Sequence, residues 1–453
     1  MIAMKNSGIE WIDQIPNNWT VNRIKNMFNA GKGLSITKAD LIDQGLPVVS
    51  YGQIHSKLNN GTDIKASLLR FVDYSYKKYY PQCKVNNSDF VFADTSEDYD
   101  GIGNCVYKRD DSLLYAGYHA IVLKSKVPTD NRYLAYLFQT DAWRKQLRES
   151  ASGVKVFSVS QRALLNASII LPTNDEMISI ANYLDEKCAE IDALSADVQA
   201  EIETLEAYKQ SVIAEAVTKG LDKNVAMKDS GIEWIGQIPS TWEVLNIKRI
   251  YDHKNYYPIG DGDHGLIKPA DYLEEGIPYI RVQNLGFCTE LKLDNVVYIS
   301  PEKNKRIASS TLKPKDVLFA KTGATIGKTG IIPDDMKMAN TTSHVGKITV
   351  APQFNPRYVY YVLSSYIGYK QFWDIASLKS TRPELSLEEI KRMFITIPKS
   401  RDVQDKIVKY LDEKCVEIDC CVSQKQEQLT ILTDYKKSLI YEYVTGKKEV
   451  TEI

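Results

Sequence analysis

The segment MKNSGIEWIDQIPNNW at residues 4–19 returns as MKDSGIEWIGQIPSTW at residues 227–242, with twelve of sixteen positions identical. A match of that density at one fixed offset is an internal duplication. A second pair lies further on: YLDEKCAEID at 183–192 and YLDEKCVEID at 410–419 agree at nine of ten positions. IILP (169–172) and ITIP (395–398) precede these blocks, and LEAYKQSVIAEAVT (205–218) and LTDYKKSLIYEYVT (432–445) follow them. Between the matched blocks, residues 20–150 and 245–375 share only fragments, such as DFVFA (89–93) against DVLFA (316–320). Neutral drift spreads changes evenly, whereas these are concentrated. The chain therefore reads as a constant frame around two middles that are not copies of each other, as expected of two modules that bind different things.

The frame is helical. Residues 174–219 contain neither proline nor glycine and are rich in Glu, Ala, Leu and Lys, all good helix formers. Asn174 and Asp175 are placed to cap the start, and Gly220 to end it. Apolar residues recur at alternating spacings of three and four, the mark of a coiled-coil seam. In the second half the seam runs Val408, Leu411, Cys415, Ile418, Val422, Lys425, Leu429, Leu432, Lys436, Leu439, Tyr443. In the first it runs Ala181, Leu184, Cys188, Ile191, Ser195, Val198, Ile202, Leu205, Lys209, Val212, Ala216. Lys209 and Lys436 are repeat equivalents inside the seam; each either fixes register or reaches out to solvent. A helix of about 45 residues rises roughly 65–70 Å, and one narrow apolar stripe leaves it in need of a partner. Its twin, run antiparallel about a pseudo-twofold axis with the modules at opposite ends, is the expected partner. A helix of another chain is the competitor.

Composition bounds the rest. At 453 residues, two to four domains are expected. The formal charge of −1 neither favours nor excludes a nucleic-acid partner, since basic faces can be offset elsewhere. The cysteines number seven and form no CxxC pair, which reads as reduced thiols and no metal site. No apolar run has the length of a membrane span, and no secretory signal opens the chain.

The paired motifs GIEWIDQIPNNW (8–19) and GIEWIGQIPSTW (231–242), with YLDEKCAEID and YLDEKCVEID ahead of a long helix, resemble specificity subunits of Type I restriction–modification enzymes. The order of domain, helix, domain, helix also agrees. This resemblance implies an α/β fold class: two α/β target-recognition domains joined by two long helices in an antiparallel coiled coil. The expected boundaries are 1–173 and 223–399 for the domains, and 174–222 and 400–453 for the helical regions. It further implies double-stranded DNA read in the major groove, two methyltransferase subunits on the helices, and restriction/motor subunits beyond them. No cofactor is expected on this chain. S-adenosylmethionine, ATP and Mg would belong to the partners, and the whole to the cytoplasm.

Candidate DNA contacts follow from residue chemistry, since Lys and Arg suit phosphates while Arg, Asn and Gln suit base edges. In the first module they are Tyr76, Lys77 and Lys78. In the second they are Lys254 and Asn255; Arg281, Gln283 and Asn284 after a strand; Lys305 and Arg306; and Lys379 and Arg382. DVLFAKTGATIGKTGI (316–331) adds Lys321, Thr322 and Lys328, with Thr329, on a strand–turn–strand. GATIGKTG mimics a phosphate loop, but only three residues separate Gly323 from Gly327 where that motif needs four. The first-module counterpart DFVFADTSEDYDGIGNCV is acidic, which counts against a phosphate contact there. Fragments of a nuclease-like pattern at Asp185-Glu186-Lys187 and Asp334–Lys337 read as solvated charges. Trp11, Trp19, Trp234 and Trp242 read as packing anchors. Two other functions compete: a self-contained restriction–methylation enzyme or NTPase, opposed by the missing methyltransferase and Walker motifs, and a coiled-coil scaffold that binds no DNA, opposed by the divergent middles.

Overall fold

A computed structural model of the chain describes residues 3–127, 129–377 and 383–450. It divides into two compact units, residues 1–198 with 428–453, and residues 199–427. Each unit thus takes one recognition domain, part of the first long helix and part of the second.

The helices form where the sequence places them, Asn174–Lys219 and Arg401–Val444. The first helix is capped one residue earlier than expected. Thr173 accepts from the Glu176 amide, while the Glu176 carboxylate accepts from the Thr173 amide at 2.9 Å. Asn174 is already helical, and the reciprocal Thr–Glu box satisfies two amide donors at once. Both helices end at a glycine with positive φ, Gly220 at +75° and Gly446 at +69°, the left-handed stop that costs other residues free energy. Every seam position in both helices is buried or half-buried.

The helices pair antiparallel, and each unit shows this by itself. In the first unit Lys436 reaches Asp192 at 2.6 Å and the Tyr183 and Tyr443 rings lie 4.5 Å apart. In the second unit Lys209 reaches Asp419 at 2.7 Å and Lys425 meets Glu201. The seam lysines therefore do not reach into solvent: Lys209 is buried, and each finds the aspartate of the opposite helix. The two pairs are repeat equivalents.

The middles are more alike than their sequences. The first domain holds a four-stranded antiparallel sheet in the order Phe28–Lys32, Ala120–Ser125, Phe90–Ala93, Cys105–Tyr107. The second repeats it as Ile259–Asp261, Val345–Ile348, Val317–Ala320, Thr329–Ile331. A three-stranded sheet with one parallel pair also recurs, Tyr115–Ala116, Leu46–Val49, Arg70–Val72 against Asn340–Thr341, Ile277–Ile280, Val297–Ile299. The expectation that the middles are not copies is corrected: they are copies in fold that diverged in sequence. Drift of this kind is possible because a strand core asks only for apolar side chains of suitable volume.

One continuous core joins domain to helices in each unit. In the first, Phe90, Phe138 and Trp143 connect through Trp19 to Leu184, Cys188 and Tyr443. In the second, Phe319 and Phe372 connect through Trp242 to Val217, Leu411 and Cys415. Trp19 and Trp242 are buried, each against the glycine that ends a long helix, Gly446 and Gly220. Trp11 is buried too, whereas Trp234 is 37% exposed and does not anchor the domain. The strand Met4–Ile9 closes its hairpin as far as Ile9–Ile12, while its counterpart stops at Asp229 and a turn carries Trp234 outward.

Candidate nucleic-acid interface

A second repeat-equivalent network holds each domain on its helix. Arg132-Tyr133-x-x-Tyr136 and Arg357-Tyr358-x-x-Tyr361 open equivalent helices, Arg132–Leu137 and Pro356–Ser364. Asp185 accepts from Arg132 at 2.7 Å, from the Tyr136 hydroxyl at 2.7 Å and from Arg109 at 2.6 Å. Asp412 accepts from Arg357 at 2.5 Å and from the Tyr361 hydroxyl at 2.6 Å. The Tyr133 hydroxyl donates to Val444 O at 2.9 Å, and that of Tyr358 to Thr396 O at 3.1 Å. Burial alone would lower the Arg357 guanidinium, but the bonds to Asp412 and Glu290 hold it above its ordinary value. Burial and the Asp185 carboxylate push the Tyr136 hydroxyl far up, so it stays a donor. Asp185 is therefore not a solvated charge. The signal for this clamp was in the chain: RYLAY and RYVYY recur at an offset of 225 inside the divergent middles.

The sequence-predicted contacts scatter over both domains. Lys77 and Lys78 lie exposed on the short helix Ser75–Tyr79, with Tyr76 half-buried against Tyr80 at 5.8 Å. Lys254 is exposed in a turn; Asn255 there accepts from the Tyr257 amide at 3.2 Å. Gln283, Lys305 and Arg306 are exposed, Arg306 paired with Glu302 at 2.6 Å. Arg281 lies 5.3 Å from the centre of the Tyr272 ring and donates to Asn295 O at 2.9 Å. Lys328 lies half-buried over the ring of Phe287 at 5.8 Å. Lys379 and Arg382 lie outside the described residues.

Four candidates turn inward. Asn284 is fully buried, accepting from the Arg281 amide and donating to Lys292 O, both at 2.8 Å, which makes it a turn brace. Lys321 is buried between Asp261 at 2.9 Å and Glu384 at 3.2 Å. Thr322 is buried against His344 Nδ1 at 2.9 Å, and Thr329 against the Ser364 hydroxyl at 2.6 Å. The strand–turn–strand is a hairpin that leads from a short turn, Gly323–Thr325, into the strand Thr329–Ile331 rather than a helix. Its polar residues close the end of the sheet. Strand alternation sets which way a side chain faces, and an isolated sequence stretch does not reveal which face the core takes.

The described residues include no cluster of side chains with metal-ligand geometry. The cysteines are free thiols, and burial pushes Cys105 and Cys288 up to about 12 and Cys188 to about 11. Among the described residues, no helix is long and apolar enough to cross a membrane.

Comparison with protein families decides the lineage. The model for the Type I restriction modification DNA specificity domain matches twice, over residues 16–204 and 239–429. The chain belongs to that family. Each matched region takes in one recognition domain and a stretch of the long helix that follows it, so the specificity domain and the repeat coincide. Among similar proteins, the Type I restriction enzyme EcoBI specificity subunit of Escherichia coli is 26% identical over 309 residues, 66% of this chain and 62% of that one. This chain thus spans less than two thirds of the E. coli subunit. The MjaVIII specificity subunit of Methanocaldococcus jannaschii is 23% identical over 73% of each chain. A chain solved in work on complex assembly and conformational transition of the type I R-M system superposes with a TM-score of 0.66 at 16% identity. It covers 96% of this specificity chain and 99% of its own, and shares the fold.

Proposed function

We propose that this chain is the non-catalytic targeting subunit of a Type I restriction–modification complex and binds a split DNA sequence, one half-site per recognition domain. The observation that carries this is the repeat itself: two domains of one fold and different sequence, each clamped alike to an equivalent stretch of helix. Equal clamps present the two domains in equivalent ways, and different surfaces read different bases. Exposed Lys77, Lys78, Lys254, Gln283, Lys305 and Arg306, with Lys328, supply the contacts. Catalysis, S-adenosylmethionine, ATP and Mg belong to the partner subunits, and the assembly works in the cytoplasm. The test is to map N6-methyladenine across the genome of a host carrying the active system. A split motif with a fixed spacer, lost on deletion of this gene, is the expected result; a methylome indifferent to the deletion would refute the proposal.

Two copies of one methyltransferase need two equivalent surfaces. Tyr208 and Tyr435 are repeat equivalents, 55% and 56% exposed, in a stretch where sequence is retained. Exposed tyrosines retained in both copies mark a docking surface, since tyrosine is enriched in interface hot spots. Tyr208→Ala with Tyr435→Ala should weaken methyltransferase binding about tenfold or more per site and leave the unfolding midpoint unchanged. Full affinity in titration calorimetry would remove the tyrosines from the interface.

A further inference from the structure

Four side chains recur in both middles at one offset of 225: Arg132, Tyr133, Tyr136 and Gln146 against Arg357, Tyr358, Tyr361 and Gln371. Each of them bonds to the helical frame. The arginine and the second tyrosine hold the aspartate of the domain's own long helix. The first tyrosine reaches the end of the other long helix. The Tyr133 hydroxyl lies 2.9 Å from Val444 O and 3.2 Å from Ile170 O, and the Tyr358 hydroxyl 3.3 Å from Val217 O and 3.1 Å from Thr396 O. The glutamine brackets the strand that leads into the domain's own helix. Gln146 donates to Ser168 O at 3.0 Å and accepts from the Ser168 amide at 2.8 Å. Gln371 treats Phe394 in the same way, at 2.9 and 2.8 Å.

Each joint thus grips three elements: a strand, one long helix and the last turn of the other. A domain held at three elements has no free axis to turn about. The four tyrosines and Gln371 are buried, so a tilt that pulls them from their partners strands polar groups away from water, which costs more than the bonds alone. The joints differ in one further arm. Arg109 donates to Asp185 in the first, and Arg357 donates to Glu290 in the second, both at 2.6 Å. Residues that are not repeat equivalents therefore brace the same pose. A base pair added to the gap between two half-sites moves one of them about 3.4 Å along the duplex and turns it by about 35°. Hydrogen bonds do not stretch that far, so a domain that follows the displaced half-site must break its joint.

We propose that Tyr133, Tyr136 and Gln146, with Tyr358, Tyr361 and Gln371, are positioning residues that restrict the complex to one spacer length. They hold each domain in a single pose on its helices, and their bonds are what a wrong spacer has to break. This rests on the reading of the chain as a DNA-targeting subunit.

The test returns the full-length chain, wild type or variant, to a host that carries the active system with this gene deleted. N6-methyladenine is then mapped at split sites with the native spacer and with one base pair more or fewer. Tyr136→Phe and Tyr361→Phe each keep the ring and the arginine–aspartate pair and remove one bond from one joint. Gln371→Leu removes two bonds from the second joint. Each variant should keep the half-site bases and raise methylation at off-length spacers, relative to the native one, by about fivefold or more, the worth of one hydrogen bond. The ratio cancels the amount of folded protein and so separates pose from stability. An unchanged ratio overturns the proposal; with less methylation at every spacer alike, the joint is merely structural. A change in the bases selected also overturns it, because these residues would then act at the reading surface. If wild type methylates no split sequence, the DNA-targeting reading itself falls, a result distinct from the others.

Discussion

Alanine at Trp242 is expected to destabilise the second unit by about 3–5 kcal/mol, the usual cost of emptying a buried tryptophan site. The indole is 3% exposed and lies edge-on to Tyr358 with ring centres 6.4 Å apart. Its six-membered ring also closes on the backbone of Gly220, so near that a side chain there would stand 3.1 Å from it. Truncation therefore opens a cavity at the junction of domain and helix, where neighbours on two elements cannot collapse together. Trp234→Ala is the internal control. That ring is 37% exposed, and its loss should move stability by no more than about 0.5 kcal/mol. Denaturant unfolding of the two variants tests the contrast. Equal losses would mean that the second tryptophan of the repeated segment is not what ties the domain down.

Asp419→Ala and Lys209→Met should act in opposite ways although they break the same ion pair. The Lys209 side chain is 7% exposed and that of Asp419 is 51% exposed. Removing the acid strands an ammonium inside the seam. Allowing for the solvent that already screens Asp419, the cost should be about 1–3 kcal/mol. Replacing the lysine by methionine keeps the apolar stem and leaves the carboxylate in water, so stability should hold or rise. Thermal unfolding distinguishes the two. If both substitutions cost the same, the pair acts by simple attraction, and burial of the lysine is not what sets its worth.

The helices were legible because a seam repeats over many turns, and its positions from Val408 to Tyr443 are all buried or half-buried. The sheets were not. Their strands are two to six residues long, and central ones such as Val317–Ala320 are buried on both faces, so no alternation marks them. The inward turn of Asn284, Lys321 and Thr322 escaped for the same reason. Basic and amide side chains after a strand look like ligands for a partner until the structure shows which face the core has taken. The Arg–Tyr–Tyr clamp escaped for a different reason. Its residues are a small island of identity within sequence that has otherwise largely diverged, and its acid lies on the helix some fifty residues away.

The seam pairs carry a consequence for ancestry. Each long helix holds an aspartate and, seventeen residues later, a lysine: 192 and 209 in the first, 419 and 436 in the second. A helix with that arrangement is its own complement when turned end for end. A forebear of half this length could have joined with a sister molecule through two identical ion pairs, and such a symmetric pair is confined to palindromes. Joined in one chain, each domain is free to vary alone while the handshake between helices stays the same. On the proposed function, an asymmetric target then needs no new way of holding the molecule together.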